Sequence, residues 1–394
     1  MIFKLHLADK GQAYRTYAWP KGDVQFEGKR VAVIGTGATS VQIIPMVAHL
    51  AKEVTVFQRT PNHVLPARNH PLTPEQQRDI KKHYEEVWQA ARSQIFGMHF
   101  VDSKVTFDDM KNEKQTRQVL EKGWEIGGFR YIFETFADML TNKKCNDYAS
   151  EFVRDKIRAV VHDEETAELL CPDHPLMAKR PPLGHYYFET FNKPNVTLIP
   201  IKDNPIKEIT ETGVRLEGKD KRTEQDEFEF DTIIYAIGFD AGTGALATMD
   251  IRGTENRSLG DEWYKQLQTF LGINVHGYPN MFMLSAPQSP FANLPIVMDN
   301  TADWISNVID YMQKNSYHRV EPTQEATDKW CRLLTDVYEA TVLPEAATKA
   351  GSWYIGANVP GKPVNPLFWF GGVVSYFEIC DNEVNNKFPS LTMA

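Results

Sequence analysis

Short β-branched runs alternate along the chain with stretches of helical spacing. Lys29-Arg30-Val31-Ala32-Val33-Ile34, bounded by glycines, predicts a buried parallel strand. Val41 to Leu50 predicts a helix, and Glu53-Val54-Thr55-Val56-Phe57 a second strand. Together they make a βαβ unit of about 30 residues. From Asn62 to about Cys171 the texture changes. Apolar positions recur at helical spacing among many charges, as in Gln76 to Phe96 and Gln115 to Trp124, and Gly127-Gly128 breaks the run. Strand character returns at Asn195 to Ile199, Ile206 to Leu216, Phe228 to Ile237 and Met281 to Leu284. Thr301 to Lys314 and Gln324 to Glu339 read as amphipathic helices, and residues 1–28 as an irregular lead-in. The pattern is α/β: a Rossmann-like domain with a helical insertion, followed by a mixed C-terminal part.

Composition narrows the function classes. The 394 residues carry 43 Lys plus Arg against 52 Asp plus Glu, a formal charge of −9. That balance argues against a general nucleic-acid binder and against docking on an anionic membrane. No run of about 18 apolar residues predicts a spanning helix. Cys145, Cys171, Cys331 and Cys380 form no CxxC pair, so no metal site is expected. Few, scattered cysteines and no apolar leader suit the cytoplasm.

The candidate chemistry begins after the first strand, at Gly35-Thr36-Gly37-Ala38-Thr39-Ser40. Gly35 allows the tight strand-to-helix turn, and Gly37 lets the backbone approach a pyrophosphate seated on the helix N-terminus. Ser40 takes the third small position. A dinucleotide site that prefers NAD has an acid at the end of the second strand; here the sequence is Gln58-Arg59-Thr60. Arginine there accommodates a 2′-phosphate, which selects NADP(H). The residues alone leave open an ordinary glycine turn and a solvated Arg59.

The segment Gly28 to Thr39, followed by Gln42, resembles the second nucleotide-binding motif of flavin-dependent Baeyer–Villiger monooxygenases. Other segments agree in family order: Phe57-Gln58-Arg59-Thr60-Pro61, Lys179-Arg180-Pro181, Tyr186-Tyr187 to Phe191-Asn192, Ile237 to Gly244, and Ser352-Trp353-Tyr354 to Lys362. The resemblance covers nearly the whole chain. It implies that NADPH reduces a bound FAD and that one atom of O₂ is inserted beside a ketone carbonyl, giving an ester or lactone. Arg180 matches the family's active-site arginine, where a fixed guanidinium would stabilise developing negative charge. Lys179, Arg59 and Thr60 match contacts to the NADP phosphate, and Gly238 a nucleotide-side turn. Trp353 matches a tryptophan on a mobile loop over nicotinamide and substrate. A surface ion pair for Arg180 and core packing for Trp353 are the plain alternatives.

The chain also departs from the pattern. In the family fingerprint ahead of the glycine loop, Gly11, Trp19 and Pro20 are kept, while Asp9 and Arg15 replace a Phe and a His. Ala236-Ile237-Gly238 stands where the family has Ala-Thr-Gly. The separate FAD-binding glycine motif is not present, so an incomplete FAD-type domain is expected. The expected division is a fingerprint remnant at 1–20, an NADP domain at 21–62 and 178–238, a helical insertion at 63–177, and part of a FAD-type domain at 239–394. Three readings follow: a truncated monooxygenase; a shortened paralogue that binds NADP or another ligand without flavin, or is a subunit whose FAD lobe comes from a partner chain; or a repurposed isomerase or cyclase. The side chains near Trp353 and residues 285–295 are expected to shape the ketone pocket.

Overall fold

The computed structural model describes residues 11–394, so Asp9 of the fingerprint lies outside the described part. The chain forms two compact units. The first holds residues up to 69, 110–131 and 144–239; the second holds 70–109, 132–143 and 240–394. Residues 63–177 are therefore divided between the two units rather than gathered into one inserted body.

The first unit is built on a five-stranded sheet. Its strands are β1 (Gln12–Arg15), β2 (Arg30–Ile34), β3 (Glu53–Gln58), β4 (Val196–Pro200) and β5 (Thr232–Tyr235), in the spatial order β1-β5-β2-β3-β4. Every pairing is parallel. Strands β2 and β5 are almost wholly buried, as continuous β-branched runs require when both faces are covered. Helix α1 (Ala38–Leu50) crosses from β2 to β3 and buries Val41, Ile44 and Val47 at helical spacing. Arg30 fixes the β2–β5 register from below: its backbone N–H and its guanidinium both donate to the Asp231 carboxylate, at 2.7 and 3.1 Å. Phe57 anchors the adjoining core, with its fully buried ring edge-on to Phe228 and Phe230 at 5.7 and 5.9 Å.

Three expectations need correction. The lead-in is not irregular throughout, because Gln12–Arg15 adds an edge strand beside β5. Met281 to Leu284 forms no strand. Asn280 and Ser285, both at positive φ, bracket it, and Met283 makes a single bond to the Ile273 carbonyl. The stretch is too short between turns to build a ladder. The helix expected at Gln76 to Phe96 is two helices, Pro74–Lys82 and Tyr84–Arg92, broken at His83. Gly127 at positive φ does end the helix Glu113–Ile126.

The second unit packs the helices Leu294–Lys314, Gln324–Glu339 and Val373–Asn385 around Trp304, Trp330, Trp369 and Tyr376. Leu294–Lys314 starts earlier than its periodicity suggests, because Pro295 supplies a helical φ in the first turn. Among the described residues no helix is long and apolar enough to cross a membrane. No disulfide joins the cysteines among the described residues.

Phe57→Ala removes the ring at the centre of the first unit's core. It is expected to cost about 3–5 kcal/mol. Chemical denaturation followed by far-UV circular dichroism measures this; a loss below about 1 kcal/mol would mean that the Phe57 cluster does not hold the unit together.

Candidate nucleotide and active site

The glycine loop forms where the sheet order reverses. From β2 the chain moves outward through β3 to β4, then returns to place β5 on the other side of β2. Ligands of open parallel sheets bind at such a switch point, beyond the carboxyl ends of the strands. Gly35 occupies it. Its φ is +107°, and a Cβ there would lie 2.5 Å from the Ala236 carbonyl oxygen at the end of β5. Its N–H donates to the Phe57 carbonyl at 3.0 Å. Only glycine fits, for both backbone and packing reasons.

Gly37 is different. A Cβ there would meet nothing within 4 Å. It is the N-cap of α1 and offers no side-chain cap. The first-turn N–H groups at Ala38 and Thr39 therefore lack a side-chain acceptor at the cap and face an open approach. A helix N-terminus with uncapped donors and open space above a glycine fits a pyrophosphate. Ser40 is fully buried, and its Oγ has no partner. Its small size, not its hydroxyl, serves the close packing.

Thr36 joins the loop to the second half of the site. Its Oγ donates to the Thr60 carbonyl at 3.1 Å. Thr60 and Arg59 follow directly after β3. Residues 62–67 then run beside residues 180–184: Asn62 Nδ2 donates to the Arg180 carbonyl (3.1 Å), the Leu65 N–H to the Pro182 carbonyl (2.9 Å), and the Ala67 N–H to the Gly184 carbonyl (3.1 Å). Pro181 favours extended backbone at Arg180. The structure thus brings Arg59, Thr60, Lys179 and Arg180 to one edge of the first unit, although about 120 residues separate the two segments.

The electrostatics there favour an anion. No carboxylate is within ion-pair distance of Arg59, Lys179 or Arg180 among the described residues. Lys179 is half-buried, and its ammonium is pushed down to about 8, first by burial and then by the nearby Arg59 charge. Two cations held in each other's field, offset only in part by Asp173 and with no carboxylate at ion-pair distance, suit a dianionic phosphate. Gly238, at φ +86°, is exposed just beyond β5.

Trp353 belongs to the second unit. It sits in a short 3₁₀ turn that Ser352 caps through the Tyr354 N–H. Its ring lies 4.8 Å from Tyr354, 5.3 Å from Phe368 and 6.1 Å from Phe291. Phe291, from the segment expected to shape the pocket, also meets Tyr354 at 4.5 Å. Sequence reasoning missed Asn62, His63 and His174, which no local pattern marks.

No family model matches the chain. It is, however, similar to the cyclohexanone 1,2-monooxygenase of Acinetobacter sp., at 40% identity over 380 residues, 96% of this chain and 68% of that protein. A Baeyer–Villiger monooxygenase of Pseudooceanicola batsensis is 38% identical over 368 residues, 93% of this chain and 65% of that protein. The chain belongs to the Baeyer–Villiger monooxygenase family. A solved structure of OTEMO in complex with FAD and NADP matches with a TM-score of 0.92 at 34% identity, covering 100% of this chain and 72% of that one. The fold is therefore the Rossmann-type flavoprotein fold of this family, and its members are oxidoreductases.

The described residues fit one of the two cofactors seen in that relative. The open Gly37 cradle and the unpaired Arg59 and Lys179 fit NADP. No second glycine-rich strand–turn–helix lies among the described residues to cradle FAD, so no step is derived through it.

Arg59→Ala removes the like charge next to Lys179. The Lys179 titration midpoint is expected to rise from about 8. NMR of ¹³C-labelled lysine side chains follows it directly; an unmoved midpoint would show that the two cations do not face each other.

Proposed function

We propose that this chain works in NADPH-dependent insertion of one oxygen atom from O₂ beside a ketone carbonyl, giving an ester or lactone. The observation that carries the reading is the unpaired Arg59–Lys179 couple next to an open dinucleotide loop. In it, Gly35, Thr36, Gly37, Ala38 and Thr39 hold the pyrophosphate, Arg59, Thr60 and Lys179 hold the 2′-phosphate, and Gly238 gives the nucleotide backbone clearance. FAD, when bound, supplies the oxygen chemistry.

Arg180 is the catalytic residue of this proposal. Its guanidinium has no carboxylate at ion-pair distance among the described residues, so it is available to stabilise negative charge as it develops. Bonds to the Arg180 and Pro182 carbonyls hold the backbone from which that side chain extends. Trp353 is the residue that the family resemblance assigns to the loop over nicotinamide and substrate. Tyr17, Ile237 and Phe239 remain 60%, 64% and 58% exposed, with the Tyr17 and Phe239 rings 6.4 Å apart. This apolar face supports a flavin-binding lobe that covers it, from the same polypeptide or from a partner chain. A cytoplasmic setting is part of this proposal, supported by the few, scattered cysteines.

Two measurements test the reading. Arg59→Glu should weaken NADPH binding roughly 10- to 100-fold and leave NADH unchanged; equal effects on both would remove the phosphate contact. The pH dependence has a definite sign. A bound phosphate raises Lys179 above its free value of about 8, so binding takes up a proton. NADPH affinity is then fully present below about pH 7 and falls as the pH rises through 8, while NADH affinity stays flat across that range. Titration calorimetry in buffers of different ionisation heat reads the proton directly.

In an FAD-loaded preparation, Arg180→Ala should lower ester formation by roughly 10²- to 10³-fold without changing the NADPH dissociation constant. Product formation at the wild-type rate would remove Arg180 from the chemistry.

A further inference from the structure

Two imidazoles are sealed inside the first unit, between the segments that carry the site's cations. His63 is fully buried and His174 nearly so. Their rings meet edge-on, with centroids 5.2 Å apart. His63 Nε2 lies 2.9 Å from the carbonyl oxygen of His174. His174 Nε2 lies 3.1 Å from the carbonyl oxygen of Pro61, and its Nδ1 lies 3.1 Å from that of Pro175. Each ring therefore reaches the backbone of the other's segment.

A buried pair with no task beyond filling space would be served better by apolar rings. His63 Nδ1 has no hydrogen-bond partner. Leaving a buried polar atom unsatisfied costs about 1–3 kcal/mol, so the Nε2 bond has to justify the residue. That bond also sets the tautomer: Nε2 carries the proton, because only a donor can hold a carbonyl at 2.9 Å. Burial disfavours the charged form of both rings, pushing His63 down to about 3 and lowering His174 as well. A neutral His174 donates from one nitrogen only, and the clasp requires the Nε2–H tautomer that reaches Pro61. The charged groups whose fields reach them are Arg154, Lys179 and Asp173.

We propose that His63 and His174 are positioning residues that form a reciprocal clasp, holding the Arg59–Thr60–Pro61 segment against the segment that runs from His174 to Lys179 and Arg180. His63 stands four residues beyond Arg59, and His174 five residues before Lys179. The two cations repel each other, and only the field of Asp173 offsets part of that repulsion. A neutral clasp can hold them together because it adds no further charge. The site is then set for a dianionic phosphate before the nucleotide arrives, and less ordering is left for binding to supply. The inference rests on the reading that Arg59 and Lys179 take the 2′-phosphate.

The test compares NADPH and NADH dissociation constants, by fluorescence titration of the full chain, for wild type, His63→Phe and His63→Gln. Phenylalanine fills the space but has no donor. The glutamine amide reaches the carbonyl that Nε2 reaches. The NADPH-over-NADH preference should fall roughly 5-fold in His63→Phe and return in His63→Gln. An unchanged preference in His63→Phe, or equal losses for both nucleotides, overturns the clasp and leaves His63 as a core filler. If His63→Phe does not fold, His63→Asn takes its place, since its shorter amide cannot reach. Loss with Asn and retention with Gln supports the clasp; equal preference in both overturns it. Arg59→Glu separates the two claims. A wild type without preference, unaffected by Arg59→Glu, overturns the phosphate reading and the clasp together. A wild type that discriminates through Arg59 but not through His63 overturns the clasp alone.

Discussion

The closeness of two backbones at Gly35 sets up the first unit. The turn after β2 passes so near the Ala236 carbonyl that no side chain can stand between them. The same residue bonds to the end of β3 through its N–H. One position therefore ties together the three central strands at their carboxyl ends, where the strand order reverses. The location of the nucleotide loop and the direction of α1 both follow. A larger residue at 35 would push β2 and β5 apart, and the anion-facing helix terminus would lose its place above the sheet.

From that point the site extends along hydrogen bonds rather than across open space. Thr36 reaches the Thr60 carbonyl, so the loop that faces a pyrophosphate is coupled to the segment that carries Arg59. Asn62, Leu65 and Ala67 then fasten the 180–184 segment alongside. Each contact is modest, at about 0.5–1.5 kcal/mol net. Their effect on function is geometric. They turn residues far apart in sequence into one cationic edge, whose spacing is fixed by backbone and not by flexible side chains.

Legibility followed physical range. The β2–α1–β3 unit could be read because buried parallel strands are continuous β-branched runs and because Gly35 announces a turn only glycine can make. Arg59 could be read from its fixed offset to that turn. Strand β1 could not: Gln12–Arg15 pairs on one side only and carries no alternating apolar pattern. Met281 to Leu284 looked like a strand because it is apolar, but the positive φ angles on either side are tertiary facts. The split of residues 63–177 between two units was hidden for a similar reason, since helical periodicity shows which face is buried but not against what. The resemblance named Lys179 and Arg180, yet their partnership with Asn62, His63 and His174 spans more than 100 residues and leaves no local trace.

The last step concerns where cofactor selectivity resides. An arginine at the end of β3 is a common surface feature and by itself would be a solvated cation. What changes its meaning is Lys179, brought into its field while half-buried and with only the field of Asp173 to offset it in part. That arrangement lowers the stability of the ligand-free chain, because like charges repel and burial disfavours an ammonium. A phosphate dianion relieves both penalties at once, whereas a ribose hydroxyl relieves neither. On the proposed reading, discrimination between NADPH and NADH then depends on the scaffold that keeps the two cations close. Loosening that scaffold would let them separate, lower the cost in the free protein, and blunt the preference even with Arg59 and Lys179 both intact.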